Sequence, residues 1–268
     1  MDVKGHAAIV TGGHSGMGFG AAKALVAKGC KVTILGRRSE IVQDKAGQIG
    51  ALGLDCDVAD PEQVDAALQK AENAHGIARI LIHAAAIGNM GMLLSPDGAA
   101  APLGPLREII ETNVWGTLMI NRAFSSRLTR AAPLGDAPRG VIVNVSSIGA
   151  TDGAIGAVYS ASKGAVDGLG LALARDLGVW RIRVVTIAPG GINTEMLRAG
   201  ATPALHEAMR TMVPALGRLG RPEEFGALAL HVCENDYLNG CNIRLDGGFR
   251  IPYAYDLGGG ARRPEVPE

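Results

Sequence analysis

Short, nearly unbroken apolar runs alternate along the chain with longer stretches whose apolar positions recur every three or four residues. The runs predict strands near residues 7–11, 31–35, 51–56, 79–84, 140–146, 182–187 and 242–245. The periodic stretches predict helices near 16–28, 39–48, 61–74, 106–130, 158–177 and 222–234. In the first of these, Ala22, Leu25 and Val26 are spaced to face a core. Strands that are apolar on both faces and separated by amphipathic helices imply a parallel sheet covered on both sides. The expected fold is therefore α/β, a doubly wound parallel sheet of seven strands in a single domain over residues 1–250. Two stretches fall outside the alternation. Residues 88–105, rich in Gly, Ala and Pro, read as a surface loop or insertion, and residues 194–220 as an irregular, mobile cover over the site. The tail, 251–268, is Gly- and Pro-rich and ends in charges, which suits disorder or packing on a neighbouring subunit.

Composition narrows the class without naming it. With 268 residues and 47% apolar side chains, one large domain has ample core. The 26 basic and 26 acidic residues balance, which argues against nucleic acid or an anionic membrane surface as the main partner. No apolar run approaches the ~20 residues that span a bilayer, and the N-terminus enters the first strand directly, so no secretory signal is expected. Cys30, Cys56, Cys233 and Cys241 are scattered, and the six His residues lack a ligand-like spacing. They read as reduced thiols of a cytoplasmic protein with no metal site.

Two local patterns carry candidate chemistry. Ala7-Ala8-Ile9-Val10 leads into Thr11-Gly12-Gly13-His14-Ser15-Gly16-Met17-Gly18, and a helical pattern follows. Strand, glycine-rich turn and helix in that order suit a dinucleotide pyrophosphate, as in a Rossmann-type sheet. Glycines admit the phosphates to the backbone, and the helix N-terminus offers unpaired N–H groups. The second pattern is Tyr159-Ser160-Ala161-Ser162-Lys163. Residues four apart on a helix share a face, and an ammonium there favours an ionised phenol. A Tyr tuned that way can pass a proton to or from a carbinol or carbonyl oxygen. Alone, the pair is an ordinary solvated helix face.

Taken with further motifs, these residues resemble the short-chain dehydrogenase/reductase family over essentially the whole chain to about Arg250. The shared motifs are Thr-Gly-x-x-x-Gly-x-Gly at Thr11–Gly18, Asp57-Val58, Asn113 in Thr-Asn-Val-Trp-Gly-Thr, Tyr-x-x-x-Lys, and Pro-Gly-x-x-x-Thr from Pro189 to Thr194. The resemblance implies a catalytic tetrad of Asn113, a Ser, Tyr159 and Lys163. Tyr159 would be the general acid in reduction and the base in oxidation, and the Ser would hold the substrate oxygen. Lys163 would lower the Tyr159 pKa and bind the nicotinamide ribose, and Asn113 would anchor a water between Lys163 and solvent. Counting from Asn144 selects Ser147, and counting back from Tyr159 selects Ser146. Successive strand residues point to opposite faces, so only one can serve, and a loop absorbs a deletion more easily than a strand register. Ser147 is the expected residue. The implied cofactor contacts are Gly12, Ser15, Gly16, Met17, Gly18, Arg37, Arg38, Asp57, Val58, Ala84, Ala85, Ala86, Asn113, Tyr159, Lys163, Pro189, Gly190, Ile192 and Thr194. Ala86 stands where the family usually has glycine, which narrows the adenosine side.

The cofactor expected is NADP(H) over NAD(H). Gly36 replaces the acid that ends the second strand in NAD-dependent members, and Arg37 and Arg38 follow it. A carboxylate would repel a 2′-phosphate, whereas a guanidinium binds it with charge-assisted hydrogen bonds. The alternative is that both arginines are exposed loop charges. The C-terminal half is most similar to the type II 3-hydroxyacyl-CoA dehydrogenases, also described as type 10 17β-hydroxysteroid dehydrogenases, through Ala174–Leu177, Thr186–Gly190, Leu238–Gly240 and Ile243–Gly247. The resemblance thus implies an NADP(H)-dependent oxidoreductase acting on a secondary alcohol or ketone. Alternatives are an NAD-dependent 3-hydroxyacyl-CoA or hydroxysteroid dehydrogenase and a non-enzymatic dinucleotide-binding scaffold. Relatives are commonly homotetramers, and Gly164, Ala165 and Gly168 would let helices pack closely between subunits.

Overall fold

The computed structural model describes residues 1–88, 91–95, 97–153, 156–200 and 202–250. The tail expectation, 251–268, lies outside the described residues. Seven parallel strands form one sheet: β1 (Ala7–Thr11), β2 (Lys31–Gly36), β3 (Leu52–Asp55), β4 (Ile80–His83), β5 (Gly140–Val145), β6 (Ile182–Pro189) and β7 (Asn242–Leu245). Their order is β3-β2-β1-β4-β5-β6-β7, so the crossover from β3 to β4 reverses the winding beside β1. That reversal opens a crevice at the carboxyl ends of the strands. The inner strands are buried along their length except at Lys31, which opens β2, and the edge strands β3 and β7 are not buried. This is why the inner ones read as unbroken apolar runs.

Helices α1 (Gly16–Ala27), α2 (Ser39–Ile49) and α3 (Pro61–His75) lie close to their predicted positions. Asp60 caps α3 by accepting from the Glu62 and Gln63 N–H groups, and Pro61 occupies its first turn. One face of the sheet packs Ala8, Val10, Ile82 and Val143 against Leu25 of α1, Val42 of α2 and Phe225. The other packs Ile9, Leu81, Ile142 and Val184 against Leu68 of α3, Phe124 and Leu128. Each such fully buried aliphatic or aromatic side chain contributes roughly 1.5–3 kcal/mol relative to exposure.

The single helix expected over 106–130 is three pieces: α4 (Leu103–Ile110), a π-turn at Glu111–Trp115, and α5 (Gly116–Leu128). One extra residue widens the turn around Asn113, a local feature to which hydrophobic periodicity is blind. A four-residue helix, α6 (Gly149–Asp152), follows β5, and α7 (Ala157–Asp176) runs beneath the sheet. The segment 194–220 is less irregular than expected, holding α8 (Glu195–Gly200) and α9 (Pro203–Thr211). The last helix, α10 (Pro222–Glu234), lies backbone to backbone against α1. A Cβ on Gly20 would stand 2.2 Å from the Pro222 carbonyl oxygen, and one on Gly226 would stand 2.5 Å from that of Gly20. This reciprocal contact seats the N-terminus of α1 at the crevice. Among the described residues, no helix is long and apolar enough to cross a membrane.

Candidate active site

The glycine-rich turn is shaped by close backbone approach. Gly12 has φ +64°, and a Cβ there would lie 2.9 Å from the Ala85 nitrogen. A Cβ on Gly18 would lie 2.3 Å from the Gly12 carbonyl oxygen. Both positions therefore exclude side chains, and the turn lies flat against the end of β4. Ser15, the residue before α1, makes no side-chain cap. Gly16, Met17 and Gly18 line the crevice, and first-turn N–H groups lack intrahelical partners. This is the donor set that an anionic pyrophosphate requires.

The crevice encloses ≈ 420 Å³, within the usual range for small-molecule sites. Gly12, Ser15, Arg37, Arg38, Asp57, Val58, Ala84, Ala85, Ala86 and Thr194 also line it. Asn113, Tyr159, Lys163, Pro189, Gly190 and Ile192 do not border this part. Pro189 and Gly190 lie at the far end, where Ile148 N–H donates to Pro189 O and Gly190 N–H to Leu245 O. Ile192 is buried and bridges Gly220. The cover is α8, because Glu195, Met196 and Ala199 line the crevice and Thr194 packs over Gly16.

Sequence reasoning missed His14. A Cβ on Gly36 would fall 2.5 Å from His14 Nδ1, so the imidazole fills the place of a side chain at the end of β2. His14 Nε2 accepts from Arg38 at 3.2 Å. In the neutral ring Nδ1 then carries the proton, and it is buried with no partner among the described residues. Burial and then Arg38 hold the His14 pKa below the ordinary imidazole value. Arg37 turns to Glu108 of α4 at 3.7 Å. An orphaned donor beside an exposed guanidinium, with the bare helix N-terminus opposite, fits a dinucleotide with ribose oxygens at one end and pyrophosphate at the other.

At the end of β5 the two candidate serines part. Ser146 is buried and donates to the Lys163 carbonyl at 3.0 Å. Ser147 acts on the Tyr159 phenol, whose pKa its hydroxyl lowers, and its oxygen accepts the Gly149 N–H at 3.0 Å. Tyr159 occupies the first turn of α7. Lys163 sits one turn deeper, 4% exposed, and donates from Nζ to the Val145 carbonyl at 2.9 Å. Burial pulls the Lys163 pKa down to about 8, partly opposed by Asp167. Burial pushes the Tyr159 phenol up, and the Ser147 hydrogen bond pulls it down. This differs from the expectation that Lys163 tunes the phenol. The ammonium is engaged by Val145, and desolvation of the phenolate outweighs the rest.

Asn113, 1% exposed, joins both parts. Its Oδ1 accepts the Ile87 N–H at 2.9 Å, and its Nδ2 donates to Ile87 O and to Ser162 Oγ, each at 3.1 Å. Ser162 in turn donates to Tyr159 O at 2.7 Å, and Ile87 lines the crevice. The loop after Ser147 is braced from the opposite edge. Arg244 of β7 makes two bonds of 2.8 Å to the Asp152 carboxylate, which it holds below the usual carboxylate range.

The match to known proteins agrees with this geometry. A family model described as "Enoyl-(Acyl carrier protein) reductase" matches residues 12–250. The 3-hydroxyacyl-CoA dehydrogenase type-2 of Drosophila melanogaster is 36% identical over 257 residues, which are 93% of this chain and 99% of that protein. That of Bos taurus is 35% identical over 256 residues, covering 93% and 97%. Among solved structures, 3-hydroxyacyl-CoA dehydrogenase type-2 from Mycobacterium avium aligns with TM-score 0.86 at 32% identity, covering 94% and 99%. The 3-ketoacyl-(acyl-carrier-protein) reductase from Brucella melitensis, complexed with NADH, aligns with TM-score 0.81 at 30% identity, covering 93% and 100%. The chain belongs to the short-chain dehydrogenase/reductase family and is an oxidoreductase that uses a nicotinamide dinucleotide.

Proposed function

We propose that the chain transfers a hydride between NADP(H) and a secondary alcohol or ketone, with Tyr159 handling the proton at the substrate oxygen. The observation that carries this reading is the Tyr159 phenol facing the Ser147 hydroxyl, which lowers its pKa, one helical turn above the buried Lys163. A bound nicotinamide ring supplies or accepts the hydride. In reduction Tyr159 gives its proton to the carbonyl oxygen, and the Ser147 hydroxyl stabilises the charge developing there. In oxidation Tyr159 takes the carbinol proton. Lys163, charged at neutral pH because its pKa is about 8, binds the nicotinamide ribose. Asn113 holds the π-turn on Ile87 and anchors the water that links Lys163 to solvent.

The preference for NADP(H) is supported by Gly36, by Arg38 and by the orphaned His14 Nδ1–H beside them. Together they offer donors to a 2′-phosphate and no carboxylate to repel it. A homotetramer is supported by the outer face of α7. Added Cβ atoms on Gly164 and Gly168 would meet open space, and Leu171 is 49% exposed. A second reading, NAD-dependent oxidation of 3-hydroxyacyl-CoA, is favoured by the names of the relatives. The exposed Met92, Leu93 and Leu94, which follow the Gly91 that packs on Val158, also suit an acyl chain.

One experiment tests these readings together. Wild type and Tyr159→Phe are titrated with NADPH and NADH by nicotinamide fluorescence, then assayed on ethyl acetoacetate and acetoacetyl-CoA. Both proteins are expected to bind NADPH more tightly, and Tyr159→Phe to lose roughly 10²–10⁴-fold in turnover. Tighter NADH binding favours the second reading. Full turnover by Tyr159→Phe sinks the proton assignment.

A further inference from the structure

His83, at the end of β4, is a polar residue in an otherwise apolar strand, 2% exposed. It belongs to a row that crosses the sheet in register, Thr11–His83–Asn144–Thr186, in which every member is buried. Buried polar side chains need internal partners, which Thr11, His83 and Asn144 have, whereas Thr186 Oγ1 has none among the described residues. For His83 those partners give every proton one position.

Thr117 Oγ1 lies 2.6 Å from the Asn113 carbonyl oxygen, which can only accept, so the single Thr117 hydroxyl proton points there. Thr117 Oγ1 must then accept from His83 Nε2, 3.0 Å away, which therefore carries the ring proton. Burial, with the Lys163 ammonium nearby, pulls the His83 pKa down to about 3, so the ring is neutral and Nδ1 is bare. Nδ1 accepts a hydrogen bond from the Thr11 hydroxyl at 2.7 Å, and Thr11 Oγ1 accepts the Ala85 N–H at 3.1 Å. The chain runs from the Ala85 N–H through Thr11, His83 and Thr117 to the Asn113 carbonyl. One end is the crevice wall at Ala84–Ala86, which lies on Gly12, and the other is the π-turn carrying Asn113.

We propose that His83 is a positioning residue that locks the cofactor-side wall and the Asn113 turn into one unit. Its two ring nitrogens do different tasks. Nδ1 acts through Thr11 on the crevice wall, and Nε2 acts through Thr117 on the π-turn. Phenylalanine of similar shape would keep the packing and lose both. A glutamine amide, with one acceptor and one donor, restores both kinds of contact. The inference rests on the reading that Asn113 serves turnover.

The test is a set of variants measured by NADPH titration and by turnover of ethyl acetoacetate or acetoacetyl-CoA. Thr117→Val is expected to lower kcat roughly tenfold, with cofactor Kd within about twofold of wild type. Thr11→Val should weaken the cofactor by roughly tenfold, with kcat within about twofold. His83→Phe should do both, roughly 10–100-fold in kcat, and His83→Gln should recover most of each. His83→Phe/Thr117→Val should be no slower than His83→Phe alone, because the second change breaks a link already lost. Additive losses, or equal effects of the two threonine variants on Kd and kcat, overturn the proposal, and the threonine variants decide the matter even if His83→Phe does not fold. Asn113→Ala serves as the reference. Its full turnover overturns the reading of the site, and with it this inference. A dead Asn113→Ala beside a fully active His83→Phe overturns the inference alone.

Discussion

On one side of the crevice, around β1, β2 and the glycine-rich turn, the surface is made by backbone. On the other, around β5 and α7, it is made by buried polar side chains. The first region recognises by the absence of atoms. Gly12 and Gly18 leave no room for a Cβ, and the helix N-terminus is open because Ser15 does not cap it. The second works by desolvation. Lys163, Ser146 and Asn113 are each at most 4% exposed and hydrogen-bonded internally. Adding atoms should therefore damage the first region, and removing polar atoms should damage the second.

The sharpest way to break this contrast is to exchange the two kinds of damage. Gly18→Val places a side chain against the Gly12 carbonyl, a backbone group that cannot rotate away. We expect cofactor binding to be lost and urea stability to fall by ~1–3 kcal/mol or more. Ser147→Ala, which removes one partly exposed hydroxyl, should leave the urea midpoint near wild type and lower turnover. Similar urea midpoints for the two variants would end the comparison.

A smaller effect is expected at the boundary between shape and charge. Gly36→Asp forces His14 out of its place and sets a carboxylate beside Arg38. NADPH should weaken against NADH on the order of tenfold, ~1.4 kcal/mol, read by parallel titrations. An unchanged ratio would make His14 and Arg38 bystanders.

The smallest effect is the pH dependence of the buried ammonium. Folded Lys163 releases its proton near pH 8, and an ordinary lysine holds it to 10.5. Between those values the unfolded chain binds more protons, so stability rises with pH. The cost of the buried charge is full below about pH 8 and is relieved towards 10.5. Wild type should thus gain on Lys163→Met in urea midpoint between about pH 7.5 and 9.5. A constant difference would mean that the ammonium is not desolvated as drawn.

Much of this was legible along the chain because its signals are local. Apolar runs in the strands, glycines at a tight turn and amphipathic periodicity report on neighbours within a few residues, and the predicted elements lie within a few positions of the observed ones. The π-turn was missed because one extra residue in a helix leaves the apolar period almost intact. The helices α8 and α9 were missed because each is short, six and nine residues, too few turns for a periodic pattern to stand out. His14 stood in view inside the glycine-rich turn. Its meaning depends on Gly36, which lies on the next strand.

By itself, the amino-acid sequence determined the sheet, its parallel winding, the phosphate-type turn and the pairing of Tyr159 with Lys163 on one helix face. These follow from periodicity and from which residues a backbone conformation tolerates. Only the tertiary structure decided that Ser147 rather than Ser146 meets the phenol, that Lys163 is held by the Val145 carbonyl, and that His83 joins Thr11 to Thr117. Those choices depend on burial and on contacts between residues that lie on different elements of the chain. Desolvation and proton placement are properties of the packed surroundings, not of any single stretch of chain.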